Sequence, residues 1–353
     1  MRQLTSIIIL SFNTLPITKL CIESIRRHTA KDIYEIIVVD NASHDGSVEW
    51  LEKQADIRLI KNDWNAGFSV GCNQGLKIAK GSELLLLNSD TIVTHNWLSN
   101  LCTALYSSSK VGAVGCMTNC SVNDQQIEGP YDNIDGLDKF AAGFNKSDSA
   151  KWVRKLLLIG FCFLFKREVY EKIGPLDEIF TPGNFEDDDY SLRIWQAGYE
   201  MLLCKDTFIH HFGKASFISG RSHAEREENV EKYNALIGRH AQIFRNKWTY
   251  LGDYKNLEPD DIVENLRSRS IPTLDKALAA FQRGNHAFRQ RKWIRALDEY
   301  NKVLTIQPGN KKAIINAALV ARKLGDDETA KALAAAGNAE KEVFVIGELI
   351  EAV

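Results

Sequence analysis

An excess of either charge is missing from this sequence. Its 44 Lys and Arg face 46 Asp and Glu, a formal net charge of −2. A nucleic-acid binder normally carries a clear basic excess, so that class is excluded and no nucleic-acid partner is expected. Long apolar runs are missing too. Runs such as Ile7 to Leu10 and Leu84 to Leu87 fall far short of the roughly 20 residues that cross a bilayer. Met1 to Ser6 lacks the charged region, long apolar stretch and cleavage site of a leader. The seven cysteines form no Cys-x-x-Cys pair and most lie in apolar segments, which reads as reduced core residues of a cytoplasmic protein. Cys116 and Cys120 are the nearest pair, and a structural role is favoured for them over a metal. No Gly-x-Gly-x-x-Gly follows the first apolar run, which excludes a nicotinamide dehydrogenase.

What is present is alternation. At 353 residues the chain has room for two domains, or one large domain with an appendage. From residue 4 to about 120, short β-branched runs alternate with helical segments. Ser6 to Leu10, Glu35 to Val39, Ile57 to Ile60 and Glu83 to Leu87 read as buried strands. Leu20 to His28, Ser47 to Gln54 and Ser69 to Ala79 read as helices between them. That order predicts an α/β fold with a doubly wound, mostly parallel sheet. Ligands bind such sheets beyond the carboxyl ends of the strands. Phe12-Asn13, Asp40-Asn41 and Asn88-Ser89-Asp90 stand at those ends.

Residues 119 to 152 read as polar and irregular, the kind of loop-rich region that selects a substrate. Leu156 to Phe165 reads as a buried strand containing Gly160. After Ile271-Pro272 the texture becomes almost purely helical and rich in alanine, which divides the chain into domains at 1–270 and 271–353. Gly284, Ala287, Ala296, Tyr300 and Pro308 occupy the small, aromatic and stop positions of a tetratricopeptide repeat. A degenerate second repeat runs from Lys311 to about Asn338, and Glu340 to Val353 reads as a capping helix. So few repeats are expected to pack on the main domain or on another subunit.

Four consecutive acids, Glu186-Asp187-Asp188-Asp189, precede an apolar-periodic segment. Acids oppose the macrodipole at a helix start, so the stretch has that structural reading as well as a chemical one. Asp90 can ligate a divalent cation bound to a diphosphate, or it can form a turn or cap the helix near Asn96. Asp40 can hydrogen-bond a ribose or base, or close an Asx-turn. In His210-His211 either imidazole can be a ligand or a hydrogen-bonded structural group.

Taken in order, these motifs resemble the family 2 glycosyltransferases, inverting enzymes with the GT-A fold, in particular the branch similar to rhamnosyl- and galactofuranosyltransferases. The matching residues are Ile7 to Asn13, Val38 to Ser47, Asn65-Ala66-Gly67-Phe68, Asn73-Gln74-Gly75 and Leu87 to Asp90. Glu186 to Asp189 with Arg193, and His211-Phe212-Gly213, complete the set. The resemblance covers roughly residues 4 to 220, and its strength lies in the order of motifs that are individually weak.

The resemblance implies an enzyme that transfers a sugar from a nucleotide-diphosphate donor to a saccharide, lipid-linked or protein acceptor. Phe12 and Asp40 would hold the nucleoside, with Asn65 and Gly67 lining the pocket. Asp90 stands at the last acid of the family's Asp-x-Asp metal motif, whose first position here is Asn88. His211, in His-x-Gly-x-x-Ser ending at Ser216, would be a further ligand to Mn2+ or Mg2+. Asp187, preceded by Glu186, corresponds to the catalytic base. Crowding by neighbouring acids would raise a carboxylate pKa toward neutrality, and Asp189 and Arg193 would play supporting parts. The implied location is cytoplasmic, or peripheral at the inner face of the membrane. A rival from another class is a catalytically silent nucleotide-sugar-binding scaffold whose helices bind a protein partner or self-associate. The joint presence of acid, metal and histidine positions favours the enzyme, since a scaffold requires none of them.

Overall fold

The structure is a computed structural model, and it describes residues 3–213, 223–337, 339 and 343. Two compact units make up the chain. The first comprises Met1–Asn65, Gly71–Leu176 and Asn184–Pro272, and the second Ala66–Val70, Asp177–Gly183 and Thr273–Val353. Two short stretches from the middle of the chain thus group with the C-terminal helices, which no sequence pattern anticipates.

The first unit is built on a central sheet. In chain order its elements are β1 (Thr5–Ser11), α1 (Leu15–His28), β2 (Tyr34–Asp40), α2 (Ser47–Leu51) and β3 (Ile57–Lys61). Then follow α3 (Phe68–Ile78), of which Phe68 to Val70 count with the second unit, β4 (Glu83–Asn88), β5 (Thr91–Ile92), α4 (Trp97–Leu105), β6 (Val111–Thr118) and α5 (Ile134–Phe144). The series closes with β7 (Trp152–Arg154), β8 (Cys162–Lys166), α6 (Arg167–Ile173), α7 (Glu186–Gln196), β9 (Glu200–His211), α8 (His223–Lys247) and α9 (Pro259–Arg267). Strand order is β3-β2-β1-β4-β8-β6-β9-β5, with β7 paired to β9. The quartet β3-β2-β1-β4 is parallel throughout. Beyond it the sheet is mixed, with β8 antiparallel to β4 and β6, and β9 parallel to β6.

The parallel half follows from sequence directly. Ile7, Ile9, Ile36, Val38, Leu85 and Leu87 are buried in one core with Cys21, Ile22 and Ile25 of α1. Both faces of these strands are covered, so each reads as an apolar run rather than an alternation.

Two expectations change, and one helix is added. Leu156 to Ile159 is not a strand, and β8 begins only at Cys162. The backbone N–H groups of Leu158, Ile159 and Gly160 donate instead to Ser191 Oγ, Gln125 Oε1 and Asp187 Oδ2. A backbone satisfied by side chains has no ladder to join. The region from 119 to 152 is not wholly irregular either. Asn133 caps α5 by accepting from Gly136 N at 2.8 Å, and Leu137 and Ala141 turn inward. Finally, the 25-residue α8 was not expected. Among the described residues no helix is long and apolar enough to cross a membrane.

The second unit contains α10 (Lys276–Arg289), α11 (Trp293–Ile306), α12 (Lys311–Lys323) and α13 (Asp327–Ala336). Ala287, Ala296 and Tyr300 are fully buried where α10 meets α11. Arg283 of α10 pairs with Glu299 of α11 and with Glu178, on the 177–183 stretch. Asn338, and Glu340 to Val353 apart from Val343, lie outside the described residues. A Cβ on Gly284 would stand 2.7 Å from the Tyr300 ring, which cannot retreat because its hydroxyl is held by Asn285 Oδ1 at 2.9 Å. Helix propensity favours alanine over glycine by about 1 kcal/mol. Overpacking against a fixed ring costs about 1–3 kcal/mol. Gly284→Ala is therefore expected to destabilise the chain by up to about 2 kcal/mol in urea unfolding followed by circular dichroism. A variant as stable as the parent would show that the ring yields.

Candidate functional site

The loops after β1 and β2 are laced together. Asp40 is fully buried, and its two carboxylate oxygens accept from Ser43 N at 2.8 Å and Ser43 Oγ at 2.7 Å. It therefore closes an Asx-turn. Ser43 Oγ in turn accepts from Asn13 N at 2.9 Å, and Asn13 Oδ1 accepts from His44 N at 2.8 Å. Phe12 is half-buried beside this turn in sequence. Asn41 Nδ2 donates to Asn65 Oδ1 at 3.2 Å, and Asn62 Nδ2 donates to Asn41 Oδ1 at 2.8 Å. A rim of amides thus follows the carboxyl ends of β1 and β2. Gly67 belongs to the second unit, where its φ of +88° and a Cβ position 2.8 Å from Pro182 Cα leave room only for glycine.

A second cluster forms where β5 lies antiparallel to β9. Register places Thr91 opposite His211 and Ile92 opposite His210. Adjacent strand residues point to opposite faces, so only one histidine can meet Asp90. It is His211: its Nε2 lies 3.2 Å from Asp90 Oδ1 and 3.4 Å from Asn88 Nδ2. His210 turns the other way, its Nδ1 2.7 Å from the Tyr131 hydroxyl. Asp90 is buried and caps no helix; α4 is preceded by Asn96.

His211 is held on all sides. Asn119 accepts from its backbone N at 2.8 Å and donates to its carbonyl at 3.1 Å, Cys120 O lies 2.9 Å from Nδ1, and Phe161 stacks on the ring at 5.2 Å. Burial opposes the protonated ring, but the Asp90 carboxylate outweighs it and moves the pKa upward. With Nδ1–H donating to Cys120, the Nε2 lone pair faces a carboxylate oxygen. Two acceptors at that separation leave a gap that a proton or a cation fills. Among the described residues no group of three His, Cys, Asp or Glu could hold a metal, and Asp90 and His211 form a pair. Cys116 and Cys120 form no such group. Ser216 lies outside the described residues.

The acidic stretch is the helix start its sequence suggested. All four acids occupy the first turn of α7, where they complement the macrodipole. Packing then treats them unequally. Asp189 is fully buried and bonded to Arg193 Nε at 2.9 Å, Lys247 Nζ at 2.6 Å and Trp248 Nε1 at 2.9 Å. Arg193, equally buried, donates onward to the carbonyls of Ile173 and Pro175. These two residues hold the fold together. Asp188 is buried and accepts from the Tyr254 hydroxyl at 2.8 Å. Glu186 is buried, with Oε2 lacking a hydrogen-bond partner among the described residues. Burial, and then the neighbouring Asp187 charge, push its carboxyl well above the ordinary glutamate range.

Asp187 alone of the four is partly exposed. Its Oδ2 accepts from Gly160 N at 2.9 Å and its Oδ1 from Asp188 N at 3.0 Å, which fixes the carboxylate's direction. The next residue, Phe161, stacks on His211, and its carbonyl accepts from Asn88 N at 2.9 Å. One dipeptide, Gly160-Phe161, therefore touches the exposed acid at one end and the Asn88–Asp90–His211 cluster at the other. Phe161, Asn119 and Tyr254 were missed from the sequence. They come from distant segments and share no spacing with the motifs they support.

Comparison with known proteins agrees with this architecture. The family model described as Glycosyl transferase family 2 matches residues 6–174, ending before Asp187 and His211. An uncharacterised protein y4gI of Sinorhizobium fredii is 26% identical over 69% of this chain, which spans only 27% of that relative's length. Among solved structures, a mannosyltransferase of Pyrobaculum calidifontis, in complex with GDP-Man and Mn2+, superimposes with a TM-score of 0.51 at 18% identity. That match covers 97% of this chain and 88% of the other, and it shows a shared fold. The uncharacterized glycosyltransferase EpsJ of Bacillus subtilis is 33% identical over 67% of this chain and 70% of its own length. With that relative matched over most of its length, and with the family's loops gathered at one edge of this sheet, the chain belongs to glycosyl transferase family 2.

Proposed function

We propose that this protein transfers a sugar from a nucleotide-diphosphate donor to an acceptor hydroxyl, with inversion, using Asp187 as general base. The observation that carries the reading is the Gly160-Phe161 bridge, which joins a partly exposed, oriented carboxylate to the Asp90–His211 pair. An inverting transfer needs these two functions on either side of one reacting carbon. Asp187 takes the acceptor hydroxyl's proton as the new bond forms at the anomeric carbon and the bond to the diphosphate oxygen breaks. Phe12, Asp40, Asn65, Asn88 and Asp90 hold the nucleotide part, with Asp40 acting through the turn it closes. Glu186 supports Asp187. Asp90 and His211 would hold Mn2+ or Mg2+, which neutralises charge on the departing diphosphate when bound.

In this reading residues 1–270 form the catalytic domain and 271–353 a tetratricopeptide-like appendage that serves self-association or a protein partner. The acceptor is a saccharide, a lipid-linked molecule or a protein. Seven free cysteines support a cytoplasmic location. The test is a panel of nucleotide sugars incubated with the protein, manganese and candidate glycans, scored by nucleotide release and by mass of the product. Transfer with one donor, abolished by chelator, is expected. Nucleotide binding without release or product across the panel would favour the silent scaffold.

A further inference from the structure

The helix α8 meets the acidic segment along one face. Tyr233, His240, Phe244 and Lys247 are separated by seven, four and three residues, a spacing that gathers side chains onto a single helical stripe. Each grips a different part of the segment leading into α7. The Tyr233 hydroxyl donates to Asn184 Oδ1 at 3.1 Å, and His240 Nδ1 lies 3.3 Å from the Asn184 carbonyl. The Phe244 ring sits 5.6 Å from that of Phe185, and Lys247 reaches Asp189.

The gripped turn needs gripping. Asn184 and Phe185 both have φ of +75°, in the left-handed region that non-glycine residues, aromatic ones especially, disfavour. Such strain persists only where the surroundings over-determine it, and it concentrates at functional sites. Asp187 follows two residues after this turn. Asn184 Nδ2 is buried without a hydrogen-bond partner among the described residues, so the phenol is what orients that amide.

We propose that Tyr233 is a positioning residue for the transfer reaction: by holding Asn184 it fixes the left-handed turn that aims Asp187 at the acceptor. The proposal rests on the assignment of Asp187 as base. In the full chain, Tyr233→Phe removes one hydroxyl and leaves the aromatic packing. It is expected to lower kcat by roughly three- to tenfold, the worth of one hydrogen bond. Donor KM and nucleotide Kd should be unchanged. Asn184→Gly accepts a positive φ without strain and removes the oxygen that Tyr233 holds. In that background Tyr233→Phe should have no further effect on kcat. A third readout needs no turnover. Amide exchange at Gly160, whose N–H donates to Asp187, should quicken severalfold in Tyr233→Phe while β4 amides stay protected.

Unchanged kcat with unchanged Gly160 exchange would overturn the proposal. So would full additivity of the two substitutions, or an equal loss of nucleotide affinity, which would mark general damage. If the parent protein transfers nothing, the functional reading fails by itself, and the Gly160 exchange still decides whether Tyr233 positions Asp187.

Discussion

Asp187→Asn is expected to lower the transfer rate by roughly two to four orders of magnitude while leaving donor affinity intact. The substitution keeps size and removes the basic carboxylate. Because Asp187 accepts one backbone N–H at each oxygen, an amide must turn its NH2 toward Gly160 N or Asp188 N. That mismatch is expected to cost about 1–3 kcal/mol of stability as well, so thermal unfolding should accompany the kinetics. The control is Asp188→Asn. Its remaining oxygen can still accept from the Tyr254 hydroxyl, and near-parental transfer is expected. If the acids served only to start a helix, both variants would lose a little stability and neither would lose chemistry selectively. Near-normal transfer by Asp187→Asn would remove the catalytic assignment. Asp189 would not inherit it, because Arg193, Lys247 and Trp248 already engage its carboxylate in the interior.

Asp90→Ala is expected to erase the metal dependence of donor binding. In calorimetry the parent should bind its nucleotide sugar roughly two orders of magnitude more tightly with manganese than with chelator, the upper end of what disturbing a metal ligand's support costs. The alanine variant should bind weakly and equally in both. The reason lies in the pairing of His211 Nε2 with Asp90 Oδ1: without the carboxylate, a lone imidazole is a poor site for a hard cation. His210→Ala provides the contrast. That ring faces Tyr131, so metal dependence should survive its loss. Equal donor affinity of the parent with chelator and with metal would sink the metal assignment while leaving Asp187 untouched.

Much of the first unit was legible in the sequence because burial there is a local property. Ile7 to Leu10 and Leu84 to Leu87 are covered on both faces, and a strand covered on both faces is an unbroken apolar run. The positions of Asn13, Asn41 and Asp90 beyond the strand ends follow from the same reading. Where backbone groups are satisfied by side chains, local pattern misleads. Leu156 to Phe165 has a strand's composition, yet Ser191, Gln125 and Asp187 take the N–H groups of its first half. The helix α8 escaped notice because its buried stripe of Leu236, His240 and Phe244 is thin and partly polar.

Sequence alone determined the family, the order of the motifs and the helix that begins at the four acids. Which histidine meets Asp90 was settled only by the register of β5 on β9, across about 120 residues of chain. Which acid stays exposed was likewise a tertiary outcome, since Lys247, Trp248 and Tyr254 arrive from some 60 residues away to occupy Asp188 and Asp189. Periodicity records which face of an element is covered. It carries no record of the side chain that does the covering, and here that partner decides which carboxylate stays partly exposed.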